Sequence, residues 1–212
     1  MKKTIGIIGG MGPLATCDLY QKIIEVTKAH SDQEHIRVCI DGNTEIPDRT
    51  EAILHGGKDP LPEMVRSAVR LESMGADVLI MPCNTAHYFY KEILPFVKIP
   101  FLNMLEETAD AAARMGIKKV GLLATDGTVK SEVYKKAFDK QEIPLEIPTE
   151  EEQKSVMELI YDGVKAGNDE LDTGKFEQVM NNLLSRGAQI LILGCTELPV
   201  AFKKWKFSQP AL

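Results

Sequence analysis

Gly75-Ala76-Asp77-Val78-Leu79-Ile80-Met81-Pro82-Cys83-Asn84-Thr85-Ala86-His87 is an apolar run that stops at a proline, a thiol and a cluster of polar groups. The short apolar run bounded by turn residues predicts a buried strand with Cys83 just beyond its end. The same order returns in Gly187-Ala188-Gln189-Ile190-Leu191-Ile192-Leu193-Gly194-Cys195-Thr196-Glu197-Leu198-Pro199. Cys195 lies 112 residues after Cys83, about half the chain, so the two stretches are read as one internal repeat of a whole lobe.

The lobe beginnings also match. Lys3-Thr4-Ile5-Gly6-Ile7-Ile8-Gly9-Gly10-Met11-Gly12 is answered by Lys118-Lys119-Val120-Gly121-Leu122-Leu123-Ala124-Thr125-Asp126-Gly127. Between these ends strand patterns alternate with helix patterns. The first lobe reads strand 4–8, a helix from Pro13 to about 30, strand 36–40, a short helix with Arg49, a helix from Pro60 to Met74, a strand ending at Cys83, a helix over 84–96 and a fourth strand 99–102. Leu61, Val65, Ala68 and Val69 are the expected inner face of the 60–74 helix.

The second lobe reads helix to Met115, strand 120–124, helix 129–139, strand 145–147, helices 150–165 and 176–186, and strand 190–193. Such alternation predicts an α/β fold of two pseudo-symmetric lobes, each a mostly parallel sheet flanked by helices. The expected boundaries are 1–103, carrying Cys83, and 104–202, carrying Cys195, with 203–212 available to join the first lobe. Ligands of open α/β sheets collect beyond the carboxyl ends of the strands, so the expected active-site cleft lies between the lobes, one thiol on each side.

Composition removes several function classes. The chain has 212 residues and a net charge of −6, and its basic residues are scattered, which argues against phosphate-backbone binding. No apolar run approaches the roughly 20 residues that cross a bilayer, and no signal-peptide core follows Met1, so a cytoplasmic location is expected. The four cysteines lack CxxC spacing and zinc-interval histidines, so no metal site is expected and free thiols are. Cys17, on an amphipathic helix, and Cys39, inside a strand, are read as packing residues.

Cys83 and Cys195 are read differently because both follow a strand and both precede a polar residue. A thiol at a helix start is expected to ionise more readily, favouring a base or nucleophile. His87, four residues past Cys83, either lines the site or acts with the thiol, while no histidine lies near Cys195. Two opposed thiols suit one reaction in particular: one removes a proton from carbon and the other returns a proton to the opposite face.

Met81-Pro82-Cys83-Asn84-Thr85-Ala86-His87, Gly194-Cys195-Thr196-Glu197 and Gly9-Gly10-Met11-Gly12-Pro13 together resemble the signatures of the aspartate/glutamate racemase family, over residues 4 to about 202. The resemblance implies pyridoxal-phosphate-independent racemisation of an acidic amino acid, aspartate first and glutamate second, with no cofactor. It implies Cys83 and Cys195 as the catalytic pair. Met11, Asn84, Thr85, Thr125 and Thr196 are implied as donors around the substrate, Arg49 and Lys165 as its carboxylate-binding cations, and Glu197 as a further pocket residue. An Arg fork suits a carboxylate because it donates two parallel hydrogen bonds. The same resemblance implies a homodimer acting on a small molecule; charge and hydropathy lead to no expected nucleic-acid or membrane partner. Its pattern departs at the end, where relatives continue into a helix that returns to the first lobe, and Trp205 and Phe207 are candidates to cover that face or a dimer contact.

Two rival readings use the same residues. Gly10-Met11-Gly12-Pro13-Leu14-Ala15 fits a dinucleotide fingerprint, with Asp41 as the ribose acid, although that acid is 29 residues past Gly12 rather than about 20. A non-catalytic small-molecule binding protein on the same scaffold is the other.

Overall fold

The computed structural model describes residues 2–212. The chain divides into two compact units, the first ending at Met104 and the second comprising Leu105–Leu212. The first unit contains β1 (Thr4–Gly9), α1 (Pro13–Val26), β2 (Arg37–Gly42), α2 (Arg49–His55), α3 (Leu61–Ser73), β3 (Val78–Ile80) and the short α4 (Tyr90–Ile93). Its sheet has the order β2-β1-β3, all parallel. A helix, α5 (Met104–Arg114), begins at the boundary.

The second unit continues with β4 (Val120–Ala124), α6 (Asp126–Lys130), α7 (Val133–Asp139), β5 (Leu145–Glu146), α8 (Glu150–Glu158), a π-helix over Leu159–Lys165, α9 (Gly174–Ser185), β6 (Ile190–Gly194) and α10 (Glu197–Trp205). Its sheet order, β5-β4-β6, is again parallel and repeats the first. One face packs against Val156, Leu159, Phe176, Met180 and Leu183, the other against Leu105, Ala109, Tyr134 and Phe138.

Two glycines record the repeat in packing. A Cβ at Gly6 would stand 2.9 Å from Ala76 and Leu79 and 3.2 Å from Leu71; one at Gly121 would stand 2.9 Å from Leu191, 3.2 Å from Leu183 and 3.3 Å from Ala188. The three neighbours of one glycine are the three neighbours of the other displaced by 112 positions. In each unit the third strand and its preceding helix press against the middle of the first strand, leaving no room for a side chain.

The fourth strand expected over 99–102 is reduced to one parallel bridge, Leu79 with Phe101, in which Leu79 N–H donates to the Pro100 carbonyl (2.8 Å) and Leu102 N–H to the Leu79 carbonyl (3.0 Å). The second unit does the same with its last residues. Leu191 N–H donates to the Pro210 carbonyl (2.9 Å) and Leu212 N–H to the Leu191 carbonyl (2.8 Å). The assignment of 203–212 to the first lobe is therefore corrected: this segment lies in the second unit, along β6. Proline is suited to the position because only its carbonyl is needed there. Phe207 packs with Phe176, Phe202 and Trp205, all in the second unit.

Other expectations shift locally. The inner face of α3 is Met64, Ser67, Ala68 and Leu71, while Val69 is exposed. On α1 only Ala15 and Thr16 are buried, so Cys17, read as a packing residue, is exposed instead. Helix 84–96 breaks into a 3₁₀ turn over Thr85–Phe89, α4, and a second 3₁₀ turn over Leu94–Phe96, the last begun by a proline-containing step. Helix 129–139 is likewise two helices, parted at Glu132, whose φ of 55° is left-handed.

Candidate active site

In the first unit Pro82 carries the chain off β3 into a tight turn in which Cys83 N–H donates to the Met81 carbonyl (2.8 Å). Cys83, Asn84, Thr85 and Met11 are all buried. Met11 lies in the glycine turn after β1, where the Thr16 hydroxyl accepts the Gly10 N–H (3.0 Å) and donates to the Gly12 carbonyl (3.0 Å). Gly10 has φ +92° and its Cβ position is 2.4 Å from the Asn43 backbone, so glycine is required by the β2 loop passing beside it. Asp41, the candidate ribose acid, is held by Arg70 through both carboxylate oxygens (3.0 and 2.9 Å). Both parts of the dinucleotide fingerprint thus have a reason internal to the fold.

Arg49 is buried, unlike most arginines. It opens α2, whose N-cap Asp48 accepts the Glu51 N–H (3.0 Å), and its guanidinium donates to the carbonyls of Pro47 (2.9 Å) and Ile46 (3.3 Å). Those bonds fix the fork in place at little further entropy cost.

His87 is also buried. Its Nδ1 lies 2.8 Å from the Cys83 carbonyl and its Nε2 accepts the Met104 N–H (3.2 Å). An accepting Nε2 leaves the ring proton on Nδ1, which donates to Cys83. Burial pushes the imidazole down to about 4, so it is neutral near pH 7. Both nitrogens are used on backbone, so His87 braces the Cys83 turn and is no base for its thiol.

In the second unit Cys195 directly follows β6. Its Sγ donates to Glu197 Oε2 at 2.9 Å, and Glu197, the first residue of α10, is itself buried. The expectation that a helix start makes this thiol more acidic is corrected. Burial first, then the Glu197 charge and the hydrogen bond to it, push Cys195 well above the usual thiol value, outweighing the Glu197 backbone N–H and the Lys165 charge.

Lys165 ends the π-helix, where Ala166 N–H reaches the Tyr161 carbonyl (2.9 Å) five residues back. The wide turn sets its ammonium 4.5 Å above the Tyr161 ring and 4.0 Å from Glu197 Oε1. A π segment inserts one residue, turns the side chains beyond it to a new angle, and recurs at functional sites. Regular helical periodicity over 150–165 gave no sign of it. Thr125 caps α6, its hydroxyl accepting the Thr128 N–H (3.3 Å), and Thr196 precedes α10, its hydroxyl 3.5 Å from Glu197. The structure thus gathers Cys195, Thr196, Glu197 and Lys165 in one unit and sets Met11, Asn84 and Thr85 around buried strand ends with Cys83 in the other. A cavity of about 420 Å³ opens elsewhere in the second unit, beside Thr128, Tyr134 and Leu145, and holds none of the expected site residues.

The sequence pattern described as Asp/Glu/Hydantoin racemase matches residues 8–208. The chain is 30% identical over 209 residues to the broad specificity amino-acid racemase RacX of Bacillus subtilis, covering 92% of this chain and 85% of that one. It superposes on the aspartate racemase of Picrophilus torridus with a TM-score of 0.83 at 36% identity, over 99% of this chain and 87% of that one. The glutamate racemase of Francisella tularensis shares the fold (TM-score 0.67, 18% identity, 100% of this chain and 76% of that one). The chain belongs to the Asp/Glu/Hydantoin racemase family, and amino-acid racemisation is accordingly its class of activity. Among the described residues no helix is long and apolar enough to cross a membrane.

Proposed function

We propose that this protein racemises an acidic amino acid, aspartate ahead of glutamate, by moving protons at the α-carbon between Cys83 and Cys195 without pyridoxal phosphate. One observation carries the reading. Two buried thiols stand beyond the third strand of two units that repeat each other down to the neighbours of Gly6 and Gly121. A proton is removed from one face of the carbon and another delivered to the opposite face, which inverts the centre.

An acidic substrate is favoured by Arg49 and Lys165, two cations each set by a specific backbone feature rather than trailing into solvent. The name of the Picrophilus relative supports aspartate, while the broad specificity named for the Bacillus relative makes substrate range a quantity to measure. Side-chain donors at Asn84, Thr85, Thr125 and Thr196, with the Met11 turn, are assigned to the α-amino and α-carboxyl groups. Charge that spreads from the α-carbon onto the α-carboxylate is stabilised by the same donors. A cytoplasmic homodimer belongs to the same reading.

Replacing Cys83 or Cys195 by Ala is the test. Interconversion followed by circular dichroism is lost in both variants; full racemisation by either one removes the two-thiol assignment.

A further inference from the structure

Glu197 belongs to no step of the two-thiol scheme, yet its carboxylate is buried against one of the two sulfurs. Oε2 receives the Cys195 thiol at 2.9 Å and Oε1 faces the Lys165 ammonium at 4.0 Å, so the carboxylate bridges thiol and cation. A thiolate at Cys195 would in turn act on Tyr134, whose phenol is buried and pushed up chiefly by that burial, so it stays neutral. Cys83 is equally buried, but among the described residues no carboxylate takes a hydrogen bond from its sulfur. The two thiols therefore stand in different surroundings, one with a buried carboxylate on its sulfur and one without. A carboxylate beside a sulfur favours the S–H form, because a thiolate there would place two negative charges in one desolvated spot.

We infer that Glu197 is a positioning residue that keeps the proton on Cys195 in the resting protein, so that Cys195 enters the reaction as the acid and Cys83 as the base. Resting on the racemase reading above, the inference gives the free protein a direction. The enantiomer whose α-hydrogen faces Cys83 finds the acid already loaded on the far face: the C–H bond breaks, an S–H bond forms on the Cys83 thiolate, and the electron pair left on carbon takes the proton from the breaking S–H bond of Cys195. The thiolate then left beside Glu197 is tolerated through the Glu197 backbone N–H and the Lys165 charge, and regains a proton from solvent while Cys83 returns one. No electrons are exchanged with any other group. The opposite enantiomer must wait for the reverse distribution of protons.

The test reads each thiol without substrate. Alkylation of the full chain by iodoacetamide across a pH series, with each cysteine followed by peptide mass spectrometry, is expected to modify Cys83 at lower pH than Cys195. In Glu197→Gln the Cys195 midpoint falls by about one pH unit, a tenfold rise in thiolate fraction at a given pH. Glu197→Asp, which keeps the charge, stays near the wild type. Equal midpoints for the two thiols in the wild type, or a Cys195 profile that does not move in Glu197→Gln, overturn the inference. With protein in excess over aspartate in D₂O, first-turnover loss of the α-hydrogen differs between enantiomers in the wild type and becomes equal in Glu197→Gln; equal loss in the wild type removes the direction. No loss from either enantiomer, together with the expected shift in alkylation, defeats the racemase reading and leaves the proton assignment standing.

Discussion

The two units share a sheet order, a crowded glycine and a terminal bridge to a proline-led segment, but they treat their cysteines differently. Around Cys83 the polar investment is in backbone: His87 ties the Cys83 carbonyl to the Met104 N–H. Around Cys195 it is in charge, with the Glu197 carboxylate taking the thiol on one oxygen and facing Lys165 with the other. The same sheet plan thus places a thiol beyond the third strand of each unit, while the side chains around the two sulfurs differ. Racemisation asks each thiol to serve as acid for one enantiomer and base for the other, so unlike surroundings set which of the two directions starts first.

The largest effect expected is on turnover. Cys83→Ala and Cys195→Ala each lower racemisation by roughly 10²–10⁴-fold, the usual loss on removing a positioned acid or base. A variant keeping more than a tenth of the activity, by circular dichroism, would reduce that thiol to a bystander.

Acid should separate the units next. All four histidines lie in the first unit, and His87 is held neutral there with its ionisation at about 4 rather than 6.5. An unfolded chain then binds the proton first, so stability is full above pH 6.5 and declines as pH falls towards 4, by up to about 3 kcal/mol. In the second unit the Arg186 hydrogen bonds hold Glu152 down to about 2, so its contribution is full above pH 4.5 and is lost only as pH falls towards 2. Hydrogen exchange at pH 5 is expected to show the first unit opening before the second, and His87→Asn to narrow the gap. Simultaneous loss of protection would contradict the contrast.

Gly6→Ala and Gly121→Ala probe the repeat itself. Each forces a methyl group into a space closed by a helix leucine, a strand leucine and the alanine of the turn between them, at about 1–3 kcal/mol. Similar losses in denaturant midpoint support equivalent packing; a tolerated Gly121→Ala would show that the second unit gives way where the first does not. Smallest is the contrast of cations. Arg49→Ala is expected to raise KM for the dicarboxylate about tenfold, and Lys165→Ala only a few-fold because its ammonium is partly exposed. Equal effects would erase the distinction.

The alternation of strands and helices, the boundary near residue 104 and both thiols at strand ends were legible because each is written in local pattern or in the repeat. Arg49 was legible as a cation but not as a buried one, since its burial comes from the turn through Ile46 and Pro47. The π-helix was invisible: an inserted residue changes the angle at which Lys165 emerges without changing composition. The Cys195–Glu197 contact was missed because two residues apart on a regular helix do not meet. It arises at a strand-to-helix corner, where the chain turns between them. The final segment was misplaced because Pro210-Ala211-Leu212 carries too little pattern to announce that it repeats Pro100-Phe101-Leu102.

The most direct measurement monitors L-aspartate and L-glutamate in D₂O with the wild-type protein by NMR at low conversion. Two thiols working on opposite faces predict that the D-product carries deuterium at the α-carbon while unconverted L-substrate still carries protium. A D-product that keeps its original hydrogen, or no exchange from either amino acid, would contradict the account.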